Sequence, residues 1–318
     1  MCEFKHHVSD LCERDICILP VKEEGLYYFY TTRAPHEMRE PGVPKFYARC
    51  SPDLIHWSDP IVVFENRGEF WANLDYWAPE CHYYKGKYYL ISSFRAPGTY
   101  RRCQCLVSDS PTGPFVPHGE PFTPEDWHCL DGTLYIDQKG KPWMVFCKEW
   151  VQVGDGQMCA VPMKDDLSAP DGEPIILFRA SQAPWKRDVS LEKGKHFGRV
   201  TDAPYMYRCK NRTLIMIWSS FSNSGYTVGS ARSLTGEIDG PWQVDSEPIY
   251  ALDGGHPMLF HTFDGKLMMV FHSPNRPGQE RMLIFEMDEI DGHLYTKHEI
   301  TGNWFNKFYY PDGRMVSV

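Results

Sequence analysis

Residues 201–221, TDAPYMYRCKNRTLIMIWSSF, contain the pattern on which the fold prediction rests. A carboxylate, Asp202, precedes an apolar run, a short polar turn follows around Asn211 and Arg212, and a second apolar run ends in serines. Two apolar runs joined by a short turn predict a β-hairpin. Asp202 itself fits two roles, because Asp before a small residue and Pro initiates turns well, whereas a carboxylate at the mouth of a sheet suits acid–base chemistry.

The same plan recurs four more times along the chain. The other copies are RDICILPVKEEGLYYFYTT (14–32), DYWAPECHYYKGKYYLISSF (75–94), LDGTLYIDQKGKPWMVFCKEW (130–150) and GHPMLFHTFDGKLMMVFHS (255–273). Each of these four turns has a glycine at its tip, a residue that tolerates positive φ: Gly25, Gly86, Gly140 and Gly265. Counting Arg212 as the tip of the remaining turn, the five tips are 53 to 72 residues apart, so the copies fill the whole chain.

The repeated hairpins predict an all-β fold. β-Branched and aromatic residues dominate the apolar runs, and helical periodicity is nearly absent. Hairpins repeated at this spacing, with both strands almost continuously apolar, are typical of propeller blades that are buried on both faces. We therefore predict a five-bladed β-propeller that forms a single catalytic domain over residues 1–318. A two-sheet sandwich is the alternative, and the regular spacing disfavours it.

Composition limits the classes of partner. The 318-residue chain has a formal net charge of −9 and a pI near 5.8, and it contains no long basic run. We therefore expect neither nucleic acid nor a membrane surface as a partner. Aromatic residues make up 14% of the chain, including 10 Trp, which suits a sugar-binding cleft and a β-rich core equally well. No pattern indicates the oligomeric state.

Cysteine usage and the start of the chain predict a cytoplasmic location. The 11 cysteines are scattered, and none has the paired CxxC spacing of a zinc site, so free thiols in a reducing compartment are expected. The start, MCEFKHHVSDLCERD, lacks a basic region followed by an apolar stretch. We therefore expect no signal peptide.

Polar residues stand at the start of each repeat. In chain order they are Asp15, then Asp75 with Trp77 and Glu80, then Asp131, Asp202 and His256. A propeller gathers the starts of its innermost strands around a central axis, so these residues are expected to converge. A single Asp before a strand is usually a turn residue. Three at one register of a radial repeat indicate a site.

These motifs together resemble glycoside hydrolase family 43, whose members are five-bladed propeller enzymes acting on arabinose- and xylose-containing glycans. The segments that carry the resemblance are RDICIL around Asp15, YWAPECHYYKGKYYL around Trp77, LDGTLYID around Asp131, VTDAPYMY around Asp202 and GGHPMLF around His256. The resemblance covers essentially the whole chain. It implies an inverting glycosidase that releases arabinofuranosyl or xylosyl units from oligosaccharides of the plant cell wall.

The resemblance also implies roles for the carboxylates. Asp15 is expected to be the general base, and Asp131 is expected to orient the general acid and adjust its pKa. Family members usually place the acid in a Glu-Gly-Pro sequence at the fourth blade, where this chain has Asp202, Ala203 and Pro204. An aspartate is one methylene shorter, which sets its carboxyl back by about 1.5 Å. Asp202 remains the expected acid, and the alternative acids are Glu192, Glu149 and Glu80.

Further residues are expected to bind substrate rather than react with it: Trp77, Glu80, His128, Glu149 and His256. No cofactor is expected to be required. Family members often have a histidine at the position of His256 that supports a calcium ion through water, which leaves calcium open. Calcium prefers oxygen ligands, and the sequence contains no identifiable carboxylate cage beside His256.

Three other functions compete with an arabinose- or xylose-releasing enzyme. A non-catalytic carbohydrate-binding propeller is compatible with the change from Glu to Asp at residue 202. A scaffold for protein partners needs no convergent carboxylates and is therefore disfavoured. Fructan-cleaving propeller hydrolases use a nucleophilic Asp in a local motif that this sequence lacks.

Overall fold

A computed structural model describes residues 3–32, 40–192 and 195–302. The side chains of residues 191, 192, 195 and 196 lie outside this description. Within the described residues, five four-stranded antiparallel sheets follow one another along the chain. The five-bladed β-propeller predicted from the sequence is confirmed. The extension of a single domain over residues 1–318 stays a prediction, because residues 33–39, 193, 194 and 303–318 lie outside the described ranges.

Each blade is a contiguous stretch of chain whose first strand lies innermost. Blade I contains β2 (Cys17–Val21), β3 (Leu26–Thr31), β4 (Lys45–Ser51) and β6 (Ile61–Glu65). Blade II contains β7 (Leu74–Tyr84), β8 (Lys87–Arg95), β9 (Arg102–Ser108) and β10 (Val116–His118). Blade III contains β11 (Cys129–Ile136), β12 (Pro142–Lys148), β13 (Gln157–Pro162) and β14 (Ile175–Arg179). Blade IV contains β17 (Asp202–Arg208), β18 (Leu214–Ser222), β19 (Gly225–Ser233) and β20 (Trp242–Val244). Blade V contains β21 (Gly255–His261), β22 (Leu267–Ser273), β23 (Arg281–Ile290) and β24 (His293–Glu299).

Three smaller elements lie between the blade strands. Strand β1 (Phe4–His7) pairs with β5 (His56–Ser58) beside blade I. The one-turn helix α1 (Trp150–Val153) lies within blade III, between β12 and β13. The long connection from blade III to blade IV contains a hairpin of β15 (Val189–Glu192) and β16 (Lys195–Gly198). Short 3-10 turns occupy Val8–Asp10 and Ala180–Gln182.

The hairpin turns form where the sequence predicts them. The four tip glycines have φ values between 65° and 86°, and Arg212 takes the same conformation with φ 72°. The turn of Lys85 and Gly86 has positive φ at both residues. This conformation matches the right-handed twist of the strands it joins.

The core explains why the strands are apolar on both faces. Successive side chains of a strand point to opposite faces, and in β18 Ile215 and Ile217 pack toward blade V while Met216 and Trp218 pack toward blade III. Similar apolar clusters lie between the other blades. Each blade is therefore buried between its two neighbours.

The ring of blades closes by packing between its first and last blades. β2 lies beside β21, and the ring of Tyr27 stacks on Phe263 at 4.2 Å between centroids. The backbone N–H of Phe263 also donates to Tyr27 Oη at 3.0 Å. The first and last blades thus meet without exchanging a strand within the described residues.

The cysteines in the described ranges are free thiols, as the sequence predicts. All ten cysteines in the described ranges are free, and nine of them are buried. No helix in the described part of the chain is long and apolar enough to cross a bilayer.

Candidate active site

A one-residue bulge interrupts the innermost strand of blades II to V near its start. The bulges lie between Trp77 and Glu80, Leu130 and Thr133, Asp202 and Tyr205, and Gly255 and Met258. The residue that follows the first member of each pair has positive φ, and Asp15 takes the same conformation just before β2. We call these five the head residues: Asp15, Ala78, Asp131, Ala203 and His256, with φ between 48° and 63°.

The bulges correct the register expected for the fourth blade. The sequence suggested that Asp15, Asp131 and Asp202 start their blades at one register. Asp15 and Asp131 are head residues, but Asp202 precedes the head residue Ala203 and shares the register of Trp77. The physical reason is the position of the bulge, which gives the positive φ to Ala203, the residue before Pro204. The carboxyl of Asp202 nevertheless reaches the same cavity as the other two.

A cavity of about 760 Å³ lies over the central axis, on the side of the head residues. Its wall contains six of the residues predicted from the sequence to form the site: Asp15, Trp77, Asp131, Glu149, Asp202 and His256. The remaining wall includes Trp150 from α1 and Val189 and Ser190 from β15. The segment between β12 and β13 and the long connection between blades III and IV therefore both contribute to the wall of the cavity.

Asp15 lies among cationic and hydrogen-bonding groups. Arg14 Nε donates to Asp15 Oδ2 at 3.1 Å, and the Thr32 hydroxyl donates to the same oxygen at 2.8 Å. His256 Nδ1 lies 3.3 Å from Asp15 Oδ1. Burial would raise the pKa of Asp15, but the charges of His256, Arg14 and His272 outweigh it and hold the pKa well below its usual value. Asp15 is therefore ionised at neutral pH.

Asp131 and Asp202 line the cavity as a carboxyl pair in which each group affects the ionisation of the other. The backbone N–H of Ala203 donates to Asp131 Oδ2 at 2.9 Å, and Tyr226 Oη donates to Asp202 Oδ2 at 3.0 Å. Burial raises the pKa of both groups, and the negative charge of Asp202 raises the pKa of Asp131 further. Such a pair ionises as a unit and retains one proton to higher pH than an isolated carboxyl.

Trp77 presents one face of its indole ring to the cavity. The guanidinium carbon of Arg101 lies 3.9 Å from the centre of the ring, and the Trp77 side chain is 39% exposed. Arg101 is buried and is held by ion pairs with Asp75 and Glu149. A guanidinium fixed against one face leaves the other face of the ring for stacking on an apolar sugar face.

Glu149 is committed to this ion-pair network. Its carboxylate binds Arg101 and lies 3.1 Å from His128 Nδ1. A guanidinium partner favours the ionised carboxylate, which is unsuitable for a general acid. His128 does not line the cavity. Burial and the charge of Arg101 lower the pKa of His128 to about 4.

Two other expected residues are placed differently. Glu80 does not line the cavity, because it lies two residues beyond the head residue Ala78, where its carboxylate contacts Thr133 and His82. The expectation that Glu80 binds substrate is therefore corrected: its carboxylate is engaged deeper along the innermost strands. Glu192 ends β15, and its side chain lies outside the described part of the structure.

Sequence reasoning missed several residues that surround the carboxyl groups. They are Arg14, Thr32, Tyr226 and His272, which contact Asp15 or Asp202. Arg14 is the sequence neighbour of Asp15, and Thr32 and His272 each follow an apolar second strand of a hairpin. A polar residue at the end of that strand was a usable signal.

The residues near His256 do not fit a resident calcium ion. Among the described residues no group of three or more His, Cys, Asp or Glu side chains is arranged to hold a metal. His256 contacts Asp15, whose oxygens are already engaged by Arg14 and Thr32. Calcium takes six to eight oxygen ligands, and these side chains do not offer such a cage.

Comparison with known proteins agrees with the fold. The family model described as "Glycosyl hydrolases family 43" matches residues 5–289. The crystal structure of an endo-arabinase from Bacteroides thetaiotaomicron VPI-5482 superposes with a TM-score of 0.85 and 38% sequence identity, covering 91% of this chain and 99% of that chain.

Two curated relatives match over shorter segments. Xylosidase/arabinosidase 43A of Humicola insolens is 34% identical over 93 residues, or 29% of this chain and 28% of the relative. Extracellular endo-alpha-(1->5)-L-arabinanase 1 of Bacillus subtilis (strain 168) is 26% identical over 111 residues, or 31% of this chain and 34% of the relative. This chain thus aligns with about a third or less of the length of these two relatives. The match of the family model over nearly the whole chain shows that the protein belongs to glycoside hydrolase family 43.

Proposed function

We propose that the protein is an inverting glycoside hydrolase that cleaves arabinofuranosyl linkages in oligosaccharides of the plant cell wall. The observation that carries this proposal is that Asp15, bound by Arg14 and Thr32, lines the same cavity as the carboxyl pair of Asp131 and Asp202. The pKa of Asp15 is lowered, whereas the pKa values of Asp131 and Asp202 are raised. Inverting hydrolysis needs one ionised and one protonated carboxyl on opposite sides of the scissile bond.

Asp15 takes the part of the general base. Its carboxylate accepts the proton of a water molecule, which attacks the anomeric carbon on the face opposite the leaving oxygen. The contacts with Arg14 and Thr32 fix the orientation of the carboxylate. Asp15 precedes β2 in blade I, whereas Asp202 begins β17 in blade IV. This placement supports the wider separation, roughly 6.5–9.5 Å, that leaves room for a water molecule.

Asp202 takes the part of the general acid. Asp131 next to it favours a proton on the pair, and the proton passes from Asp202 to the leaving oxygen as the glycosidic bond breaks. The Asp202 anion that results is stabilised by the hydroxyl of Tyr226. Because Asp131 already accepts the N–H of Ala203, its carboxyl stays fixed while the charge on its partner changes.

An arabinofuranosyl substrate is favoured by a relative that aligns with 91% of this chain. The endo-arabinase of Bacteroides thetaiotaomicron is 38% identical and is covered over 99% of its length. Trp77, with its second face covered by Arg101, is suited to stack on a sugar ring at the cavity wall. Xylosyl linkages are the second candidate, because the Humicola insolens relative is named for both sugars.

The experiment follows the wild-type protein and Asp15→Asn with linear α-1,5-arabino-oligosaccharides and, separately, with xylo-oligosaccharides. Proton NMR during the first turnovers identifies the anomer that is released, and chromatography gives the product lengths. We expect cleavage of the arabino-oligosaccharides with inverted configuration, lost in Asp15→Asn. Retention of configuration would exclude the proposed roles of the carboxyls. Binding of the oligosaccharides without any cleavage would favour the non-catalytic carbohydrate-binding propeller.

A further inference from the structure

The backbone N–H of every head residue donates to a side chain of the preceding blade. Because each head residue lies in a bulge or just outside the strand, its N–H is absent from the ladder of its own sheet and needs another acceptor. The five links, in blade order, are Asp15 to His272 Nδ1 (3.2 Å), Ala78 to Thr32 Oγ1 (2.7 Å), Asp131 to Ser93 Oγ (3.0 Å), Ala203 to Asp131 Oδ2 (2.9 Å) and His256 to Ser219 Oγ (2.9 Å).

Four of the acceptors occupy one register of the second strand. Ser93, Ser219 and His272 pair with the residue that precedes the head residue of their own blade, and Thr32 stands at the corresponding place after β3. Ser93, Ser219 and His272 are fully buried. These polar side chains, at the same place in four blades and each bound to the next head residue, form four of the five links of a ring around the cavity.

Blade III departs from this pattern. Its residue at the acceptor register is Cys147, which pairs with Leu130 and whose thiol contacts Met158. A thiol is a weak acceptor, and the N–H of Ala203 is bound by the carboxylate of Asp131 instead. The fifth link of the ring is therefore made by the head residue Asp131, whose carboxylate also belongs to the carboxyl pair.

We propose that Thr32, Ser93, Ser219 and His272 are positioning residues for the reaction, because each holds a head residue through its backbone N–H. The proposal rests on the proposed function, in which the head residues Asp15 and Asp131 contribute to catalysis. A non-glycine residue with positive φ is strained, and the hydrogen bond to its N–H offsets part of that strain. Ser93 thereby fixes the backbone from which the Asp131 carboxyl reaches both Ala203 and Asp202.

Ser93 gives the sharpest test because the chain contains a matched control. Ser93 accepts the N–H of Asp131 at 3.0 Å, and Ser58 in β5 accepts the N–H of Cys50 at the same distance. Both serines are buried, and Ser58 lies outside the ring. Ser93→Ala and Ser58→Ala thus each remove a hydroxyl that accepts a backbone N–H, and Ser58→Ala also removes the bond from that hydroxyl to the Asp59 carbonyl. Ser93→Thr retains the hydroxyl and serves as the conservative variant, since Thr32 fills the equivalent place in blade I.

The measurements are kcat and KM on an arabino-oligosaccharide, the pH profile of kcat/KM, the unfolding midpoint in urea, and amide hydrogen exchange at Asp131. We expect Ser93→Ala to lower kcat between about 10- and 100-fold, because a misplacement of about 1 Å at the reacting groups has an effect of that size. KM should change little, the basic limb of the pH profile should shift, and the Asp131 amide should exchange faster. Ser58→Ala should lose similar stability with kcat unchanged, and Ser93→Thr should recover most of kcat.

The possible outcomes test the positioning role of the ring residues separately from the proposed function. Equal effects of Ser93→Ala and Ser58→Ala on kcat, with the pH profile unmoved, would overturn the positioning role. If the wild type cleaves no glycoside, the proposed function fails, and amide exchange alone then decides whether Ser93 holds Asp131. If Ser93→Ala does not fold, Ser219→Ala replaces it with exchange measured at His256. If the backbone amide of the head residue exchanges at an unchanged rate in a folded variant, the ring of hydrogen bonds does not hold the head residues and the proposal is wrong.

Discussion

The backbone N–H of Ala203 donates to Asp131 Oδ2 at 2.9 Å across the interface of blades III and IV. Asp202 is the residue immediately before Ala203. The carboxylate of Asp131 is therefore bound to the backbone that carries the Asp202 side chain, the other member of the carboxyl pair. This link ties the backbone beside Asp202 directly to the Asp131 carboxylate.

The first prediction concerns Asp131→Asn. An asparagine retains an oxygen that accepts the N–H of Ala203, but it removes the negative charge beside Asp202. Without a second carboxyl to share the proton, Asp202 titrates alone and loses its proton at lower pH than the coupled pair does. The basic limb of the kcat/KM profile should therefore move to lower pH, with a reduced maximum. An unchanged pH profile at an unchanged rate would show that Asp131 does not act on the acid.

The second prediction concerns Asp15→Asn. The amide retains the size of the carboxylate but cannot accept a proton from water, so kcat should fall by roughly 10²- to 10⁴-fold. The acidic limb of the wild-type pH profile should not reflect the titration of Asp15, because the pKa of Asp15 is held well below its usual value. Steady-state kinetics together with urea unfolding separate this loss from unfolding. A folded Asp15→Asn protein with near wild-type turnover would exclude Asp15 as the base.

The third prediction concerns Trp77 as a stacking surface. Trp77→Ala should raise KM by about tenfold, corresponding to roughly 1.4 kcal/mol of lost contact, with a smaller effect on kcat. Trp71 is the matched control, because it is 37% exposed, similar to the 39% of Trp77, and does not line the cavity. Steady-state kinetics on a series of oligosaccharides tests the difference. An equal rise of KM in Trp71→Ala would refute the role of Trp77.

The fourth prediction concerns the stability of the fold in acid. Burial, together with the charges of Arg14 and His256, lowers the pKa of His272 to about 4, although Asp15 opposes the shift. The unfolded chain binds this proton near pH 6.5. His272 therefore contributes stability that is fully present above pH 6.5 and is lost as the pH falls toward 4, on the order of 3 kcal/mol.

The variant His272→Gln tests this contribution, because glutamine retains an acceptor for the Asp15 N–H and does not titrate. Urea unfolding at pH 7.5 and pH 4.5 gives the free energy of unfolding at each pH. The decrease between the two should be smaller in the variant than in the wild type. An identical decrease would show that His272 is already protonated in the folded protein.

The sequence was sufficient for the blades because local chemistry decides their turns. The positive φ at Gly86 and Gly265 was expected from residue type alone, and Arg212 adopts that conformation because two neighbouring apolar strands define the turn. The register at Asp202 was not accessible in the same way. It depends on where each bulge falls, and the N–H that the bulge frees is bound by a residue of another blade.

The remaining parts of the site depend on contacts between distant segments. Arg101 stacks on Trp77 and binds Glu149 from the start of blade II's third strand, although 24 and 48 residues separate it from these partners. Tyr226 reaches Asp202 from the start of β19. Single residues of this kind carry no periodic signal, so they appear only when the blades are assembled.

The central claim is that Asp202, paired with Asp131, donates the proton to the leaving group. It is tested most directly by kcat/KM of Asp202→Ala on an arabino-oligosaccharide and on the nitrophenyl glycoside of the same sugar, with Glu149→Gln as a parallel variant. A nitrophenolate leaves without a proton, so a general acid matters little to it. We predict that Asp202→Ala lowers the rate on the oligosaccharide by roughly 10²- to 10⁴-fold and on the nitrophenyl glycoside by less than about tenfold. An equal loss on both substrates, or the leaving-group dependence appearing in Glu149→Gln instead, would contradict the claim.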